Sequence, residues 1–156
     1  TVGYNPANRP GKFLKTAKIY TGSERISNSF KLKGMVIPSQ KNLVKTYPDV
    51  EGNLRFSSRI IDVNELGPNT VRPIFIGIYN DSPDTLRLTP ASSDDALQGV
   101  LMPDELEPHG VSTLSLTLRA GDLPGGTTDF NLKAYIINSA SADTIATIPV
   151  GGAIKR

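Results

Sequence analysis

The sequence contains few residues that could act together in catalysis or in metal binding. His109 is the only histidine, it stands between Pro108 and Gly110, and the chain has no cysteine. Protein zinc sites combine several His, Cys or carboxylate ligands, so one imidazole in a turn does not predict such a site. A serine nucleophile of the Gly-x-Ser-x-Gly type is also absent from the sequence. We therefore expect His109 to be an exposed turn residue without partners.

Acidic residues are the next candidates, because carboxylate oxygens bind calcium and can act as acids and bases. The aspartates concerned are Asp81, Asp84, Asp94, Asp95 and Asp104. Calcium loops place their oxygen ligands at alternating positions, whereas Asp94 and Asp95 are adjacent and Pro83 interrupts the first pair. Glu105 and Glu107 could suggest a glycosidase pair, but any extended segment brings alternate carboxyls within the required ~5–9 Å. The sequence thus predicts no catalytic residue, metal or cofactor, and a protein that is not an enzyme.

Three short motifs have simpler interpretations than the ones they first suggest. The segment Pro124–Thr128 is glycine-rich but lacks the Lys-Ser/Thr of a phosphate-binding loop, so it predicts a hairpin turn. Asn80-Asp81-Ser82 matches a glycosylation sequon, a pattern that is frequent by chance. Thr85 and Thr144 each follow Asp and precede an aliphatic residue, as in bacterial O-glycosylation acceptors, and each also fits an ordinary turn or strand.

Composition excludes several classes of partner. The net charge is only +2, and lysine and arginine are spread along the chain, which does not predict a nucleic-acid or anionic-membrane surface. No apolar run approaches the ~20 residues of a membrane span. The absence of cysteine excludes disulfides and thiol catalysis. We expect no small-molecule ligand.

Short apolar runs separated by Gly, Pro, Asn and Asp recur about every ten residues, the pattern of an antiparallel β-sandwich. The run Val71–Tyr79 alternates between a face with Phe75 and Tyr79 and a face of isoleucines. No segment shows the 3.6-residue period of a helix. The residues predicted to be buried are Phe75 or Tyr79, Leu116, Phe130, Ala134 and Ile136.

The beginning of the chain resembles its end. Phe13–Tyr20 aligns with Phe130–Ile137, and Gly34 recurs at the same offset as Gly151. The second copy has a long segment in front of the shared part and the first copy has none, so the chain is expected to open partway through a domain. This predicts three C-terminal strands of an incomplete upstream immunoglobulin-like domain (1–40), a linker (41–50) and a complete sandwich (51–156).

The first strands of such a half-copy need cover for their apolar side chains, because a sheet of two or three strands is only marginally stable alone. We expect a protein partner, or another copy of the chain, to contact the N-terminal strand edges. Lys31 and Lys33 share one strand face, and lysine on an edge strand blocks unwanted pairing.

Several segments carry a resemblance to a known family. Val71–Ser82, Glu107–Gly110 with Leu114–Leu118, and the closing pattern Lys31–Pro38 resemble Hydin-like and major-sperm-protein-like immunoglobulin domains. The chain is most similar to cell-envelope domains of unknown function of the Bacteroidetes type. Those domains often have a Cys-Gly-Cys-like segment, and the corresponding stretch 91–99 has no cysteine.

The resemblance implies a non-catalytic structural or protein-interaction module in the periplasm or at the cell surface. A carbohydrate-binding or adhesin-type module on the same scaffold is the alternative. That alternative needs an aromatic platform, and the chain has five tyrosines but no tryptophan.

Overall fold

The computed structural model describes residues 3–5, 9, 11–20 and 27–155, which form an almost entirely β-stranded protein. Two strands come first, Gly11–Tyr20 (β1) and Ser27–Val36 (β2), followed by one helix, Gln40–Thr46 (α1). The remaining strands are Asp49–Glu51 (β3), Leu54–Phe56 (β4), Ile61–Leu66 (β5), Val71–Asn80 (β6), Leu86–Ser92 (β7), Leu97–Met102 (β8), Glu105–Leu106 (β9), Val111–Arg119 (β10), Asp129–Asn138 (β11) and Thr144–Ile154 (β12).

Strands β3 to β12 form two five-stranded sheets, in the orders β3-β4-β6-β10-β8 and β5-β12-β11-β7-β9. Neighbouring strands in the described chain are antiparallel, except β5, which runs parallel to β12. The inward faces of both sheets contribute to one apolar core. The predicted fold class, an immunoglobulin-like antiparallel β-sandwich, is confirmed.

Alternation along the strands decides which side chains enter this core. On β10, Leu114, Leu116 and Leu118 are at most 1% exposed, while the residues between them face outward or are half-buried. On β11, Ala134 and Ile136 are fully buried, and Phe130 is half-buried against the rim of the core. Burial of one such aliphatic side chain stabilises the fold by about 1.5–3 kcal/mol.

The predicted orientation of β6 is only half right. Ile76 and Ile78 point into the core with 0% exposure, whereas Phe75 is 69% exposed on the outer face of the sheet. Tyr79 is buried, but on that outer face, in a separate cluster with Leu43 and Tyr47. Both faces of this strand are apolar, so alternation alone could not show which one the opposite sheet would cover.

Helix α1 lies in the segment predicted as a linker, 41–50, and β3 begins in the same segment. Ser39 caps the helix, its hydroxyl accepting a hydrogen bond from the Asn42 N–H at 3.4 Å. The helix anchors itself to the sandwich through Leu43, which is 3% exposed. A seven-residue helix has too few turns to show a period of 3.6, which is why the sequence pattern did not predict it.

In the described residues, the predicted half-copy at the start contains the strands β1 and β2, and its division from the rest of the chain stays a prediction. Residues 3–5 form no strand, and residues 1–2, 6–8 and 10 and the polar connection 21–26 lie outside the described residues.

The turn at Pro124–Thr128 is not the hairpin turn that the sequence predicted. It connects β10 to β11, which belong to different sheets, and it is closed by the Thr127 N–H donating to the Pro124 carbonyl at 3.1 Å.

Candidate interaction surface

The β1–β2 hairpin has one apolar face, because residues directly opposite in an antiparallel pair lie on the same side of the sheet. Phe13 pairs with Gly34, Ala17 with Phe30, and Ile19 with Asn28 on this side. Phe30 is 37% exposed and Ile19 is 49% exposed. We call the side chains of Phe13, Ala17, Ile19, Phe30, Leu32 and Val36 the hairpin apolar face. One exposed lysine, Lys15, lies on the same side, opposite Leu32.

The opposite side of the same hairpin holds most of its lysines, together with the exposed Leu14 and Tyr20. Lys12, Lys18, Lys31 and Lys33 all lie on it and all are exposed. A sheet with one charged side and one apolar side normally turns the charged side to water and packs the apolar side on a core. Within the described residues, β1 and β2 pair only with each other. The hairpin therefore presents both an apolar face and two strand edges.

The structure pairs the repeated segments alike, with a shift of one residue: the sequence repeat aligns Gly34 with Gly151, whereas Phe130 faces Gly152. Phe13 opposite Gly34 in the hairpin corresponds to Phe130 opposite Gly152 in the sandwich. In both places the phenylalanine ring covers the facing glycine, since a Cβ at Gly34 would lie 2.8 Å from Phe13 Cζ and a Cβ at Gly152 would lie 2.9 Å from Phe130 Cζ. Ala17 opposite Phe30 likewise corresponds to Ala134 opposite Ile148.

The two hairpins differ in what covers them. In the sandwich, β12 has β5 parallel on its outer edge and β11 has β7 antiparallel on its other edge. A Cβ at Gly152 would also lie 2.7 Å from Val63 Cγ2 and 2.8 Å from the Asn64 carbonyl oxygen, both from β5. Ala134 and Ile148 are 0% exposed there, while their counterparts Ala17 and Phe30 are partly exposed.

The hairpin touches the sandwich at the turn that precedes β10. The Lys12 ammonium forms a salt bridge with the Glu107 carboxylate on the exposed surface. A Cβ at Gly11 would lie 3.4 Å from Val111 Cγ2. A cleft of about 380 Å³ between the two parts is lined by Met35, Leu106 and neighbouring residues. At the far side, the Tyr4 ring stacks on Phe13 with 4.1 Å between centroids.

The prediction that His109 has no partners is wrong. The Tyr79 hydroxyl lies 2.8 Å from Nδ1 of His109, and the His109 N–H donates to the Asn80 carbonyl at 3.0 Å. His109 has the left-handed φ of +61°, and it lies two residues before β10, the strand that pairs with β6. Burial raises the pKa of the Tyr79 hydroxyl, and the nearby Asp81 carboxylate raises it further. The imidazole therefore provides the hydrogen-bond partner for the Tyr79 hydroxyl at the edge of the buried cluster formed by Leu43, Tyr47 and Tyr79.

Asn80, the first residue of the sequon, is fully buried. Its amide nitrogen lies 2.7 Å from the Asp84 carbonyl, 3.0 Å from that of Leu106 and 3.1 Å from that of Glu107. Its Oδ1 accepts from the Ser82 N–H at 3.0 Å and from the Ser82 hydroxyl at 2.7 Å. The side chain joins the β6–β7 turn to β9, and it cannot carry a glycan in this fold. Sequence reasoning missed this role, since its partners lie up to 27 positions away.

The acidic candidates are dispersed over several local interactions. Asp81 pairs with Arg55 at 2.7 Å, and Asp94 accepts from the Ala96 N–H at 2.8 Å. Glu105 pairs with Arg87 at 2.6 Å. Across the described ranges, no group of three His, Cys, Asp or Glu side chains is placed to hold a metal ion.

The remaining candidates lie on the surface or in the second cluster. Thr85 and Thr144 are both exposed. Tyr47 packs against Tyr79 with 5.7 Å between ring centroids, so these two tyrosines are not available for a flat carbohydrate platform. No helix in the part of the chain that the structure describes is long and apolar enough to cross a membrane.

Comparisons with known proteins show likeness of fold. No protein-family model matches the chain, and no curated protein sequence matches it. A protein of unknown function from Porphyromonas gingivalis W83 is similar over 94% of this chain and 67% of its own, with 16% identity and a TM-score of 0.57. A FixG-related protein from Vibrio parahaemolyticus is similar over 67% of this chain and 99% of its own, with 13% identity and a TM-score of 0.50.

A family 123 glycoside hydrolase from Clostridium perfringens is similar over 62% of this chain but only 22% of its own, with 7% identity and a TM-score of 0.50. At these identities the likeness concerns the fold alone. The chain thus shares its β-sandwich architecture with proteins of different description, one of them a Bacteroidetes protein of unknown function.

Proposed function

We propose that the protein is a non-catalytic structural or protein-interaction module of the bacterial cell envelope, periplasmic or at the cell surface, within a larger multi-domain protein or assembly. Its sandwich is of the Hydin-like or major-sperm-protein-like kind in this proposal. The partner is a protein, or another copy of this chain, that contacts the N-terminal strand edges.

The β1–β2 hairpin is the single observation that carries this proposal. Its apolar face includes Phe30 and Ile19, both more than a third exposed, while its other face carries four lysines beside the exposed Leu14 and Tyr20. Burying apolar area stabilises association by about 25 cal/mol per Å² before the costs of binding. Sheet edges add backbone hydrogen bonds to an incoming strand. Three of the acidic candidates, Asp81, Glu105 and Asp94, are engaged in local ion pairs or a turn, which fits a binding role better than a catalytic one.

Self-association of the purified chain tests the proposal. Sedimentation equilibrium should show concentration-dependent association, and the dye 1-anilinonaphthalene-8-sulfonate should fluoresce with the monomer. Phe30→Lys, which places a charge on the apolar face, should reduce both signals. Tyr20→Lys on the other face is the matched control, since Tyr20 is 67% exposed, and should change neither. A monomer that binds no dye and is indifferent to Phe30→Lys would contradict the interaction role of the hairpin.

The cellular location is tested separately. Fractionation of the source cells with an antibody to the folded protein should recover it with periplasmic or outer-surface material. Recovery in the cytoplasmic fraction alone would refute the envelope assignment and leave the interaction role of the hairpin untouched.

A further inference from the structure

We propose that the hairpin is the closing strand pair of a second immunoglobulin-like sandwich, whose other strands come from the polypeptide that precedes it. The occupant of the hairpin apolar face is thus an upstream copy of the fold and not an unrelated protein. This inference deepens the proposed interaction role and rests on it, because it names the partner of the same surface.

The pairing of β1 with β2 resembles the pairing of β11 with β12. By their pairing partners, β1 matches β11 at one sequence offset and β2 matches β12 at an offset one residue larger. On that alignment both pairs place a phenylalanine opposite a glycine and an alanine opposite a large apolar residue. Up to Ile136, β11 pairs with residues of β12 that lie one position farther along the chain than the β1–β2 register would give. The irregularity between Ile136 and Ile137 removes this shift, so that Ile137 opposite Thr144 corresponds to Tyr20 opposite Ser27. An apolar face built for a different purpose would have no reason to repeat these pairs.

The two strand pairs differ in whether another sheet buries their apolar face. In the complete sandwich, the equivalent face is buried by the opposite sheet, and Ala134, Ile136 and Ile148 are all 0% exposed. The same positions in the hairpin hold Ala17, Ile19 and Phe30, with the last two more than a third exposed. A two-stranded sheet of this composition is marginally stable by itself, so its complement is another sheet with an apolar face.

The strands that flank β11 and β12 indicate which strands an upstream copy must place beside β1 and β2. The outer edge of β12 takes β5 in parallel, with Val150 beside Ile61, and the outer edge of β11 takes β7 antiparallel, with Ile136 beside Pro90. We therefore assign a parallel strand to the edge of β2 and an antiparallel strand to the edge of β1. The parallel strand would press on Gly34, as Val63 and Asn64 press on Gly152.

Glycine substitutions distinguish a covered hairpin from an open one. In residues 1–156, Gly152→Ala should destabilise the sandwich, because the new methyl group meets the Asn64 backbone oxygen at 2.8 Å. Gly34→Ala should change stability little in the same chain, since the atoms nearest to its new methyl belong to the Phe13 ring, which can rotate away. When the hairpin lies in a complete upstream sandwich, Gly34→Ala should become as damaging to that sandwich as Gly152→Ala is to this one.

The experiment compares residues 1–156 with the same chain extended by the residues naturally encoded before Thr1. Amide hydrogen exchange of β1 and β2 should slow by at least about a hundredfold in the longer chain, to the level of β11 and β12, and dye binding should disappear. Gly34→Ala in the longer chain should restore fast exchange in β1 and β2 and leave β11 and β12 protected.

Several results would overturn the inference: a natural chain with no preceding β-strand sequence, unchanged exchange in the longer chain, or a silent Gly34→Ala there. Exchange is measured at a concentration at which residues 1–156 are monomeric; if β1 and β2 are protected only by self-association and stay unprotected in the monomeric longer chain, the upstream copy is overturned and the interaction role is retained. Exchange that is already as slow in monomeric residues 1–156 as in β11 and β12 would overturn both.

Discussion

Asn80→Ala should be among the most destabilising polar substitutions in the chain. The residue is fully buried at the end of β6. Its amide group donates to carbonyl oxygens on both the β6–β7 turn and β9, and its Oδ1 accepts from the Ser82 N–H. Alanine removes these partners and leaves a cavity too small to admit several waters.

The magnitude follows from the groups left without partners. The Leu106 carbonyl and the Ser82 N–H are in the buried part of this network, and each orphaned buried group costs about 1–3 kcal/mol. The Asp84 and Glu107 carbonyls are nearer the surface and regain water. We expect a loss of about 2–5 kcal/mol, a large share of the roughly 5–15 kcal/mol that holds a domain folded.

Urea unfolding followed by circular dichroism measures this loss as a shift in midpoint at unchanged slope. Asn131→Ala on the exposed side of β11 is the matched control and should shift stability by less than about 0.5 kcal/mol. Asn80→Asp should cost at least as much as the alanine at pH 7, because a carboxylate would face three carbonyl oxygens. A loss below about 0.5 kcal/mol for Asn80→Ala would refute the reasoning.

Three further predictions concern the two sides of β6. Burial raises the pKa of the Tyr47 and Tyr79 hydroxyls. The free energy of unfolding should therefore be independent of these groups below about pH 10 and should fall as the pH rises above it, because the unfolded chain releases their protons first. Urea melts from pH 8 to 11 test this, and a Tyr79→Phe variant with an equally steep decline would contradict it. His109→Ala should cost about 1–2 kcal/mol by removing the partner of the Tyr79 hydroxyl, and an unchanged thermal melt would show that water replaces the imidazole. Ile76→Ala should cost about 2–5 kcal/mol while Phe75→Ala costs under about 0.5 kcal/mol, and equal losses would mean that the faces of β6 are assigned the wrong way round.

Local patterns in the sequence were enough to predict much of the sandwich. The alternation of Leu114, Leu116 and Leu118 predicted both a strand and its buried side, because the intervening residues are polar and only one face could enter a core. The alignment of Phe13 with Phe130 predicted two equivalent strands, and the structure places both opposite a glycine. The absence of cysteine excluded disulfides without any structure.

Other features depended on contacts between distant segments. β6 is apolar on both faces, so only the position of the opposite sheet decided that Ile76 is buried and Phe75 exposed. The helix α1 is stable because Leu43 and Tyr47 pack on Tyr79. This contact joins residues far apart in the sequence, so the local pattern of a seven-residue segment could not predict it.

The same division holds for the polar residues. The sequence by itself determined that His109 stands in a turn and that a turn follows Asn80, because Pro, Gly and Asp are close to both residues. Only the tertiary structure decided that the Tyr79 hydroxyl meets the imidazole and that the Asn80 amide joins two loops. Strand period and turn position are set by neighbours along the chain, whereas burial and hydrogen-bond partners are set by which surfaces the folded chain brings together.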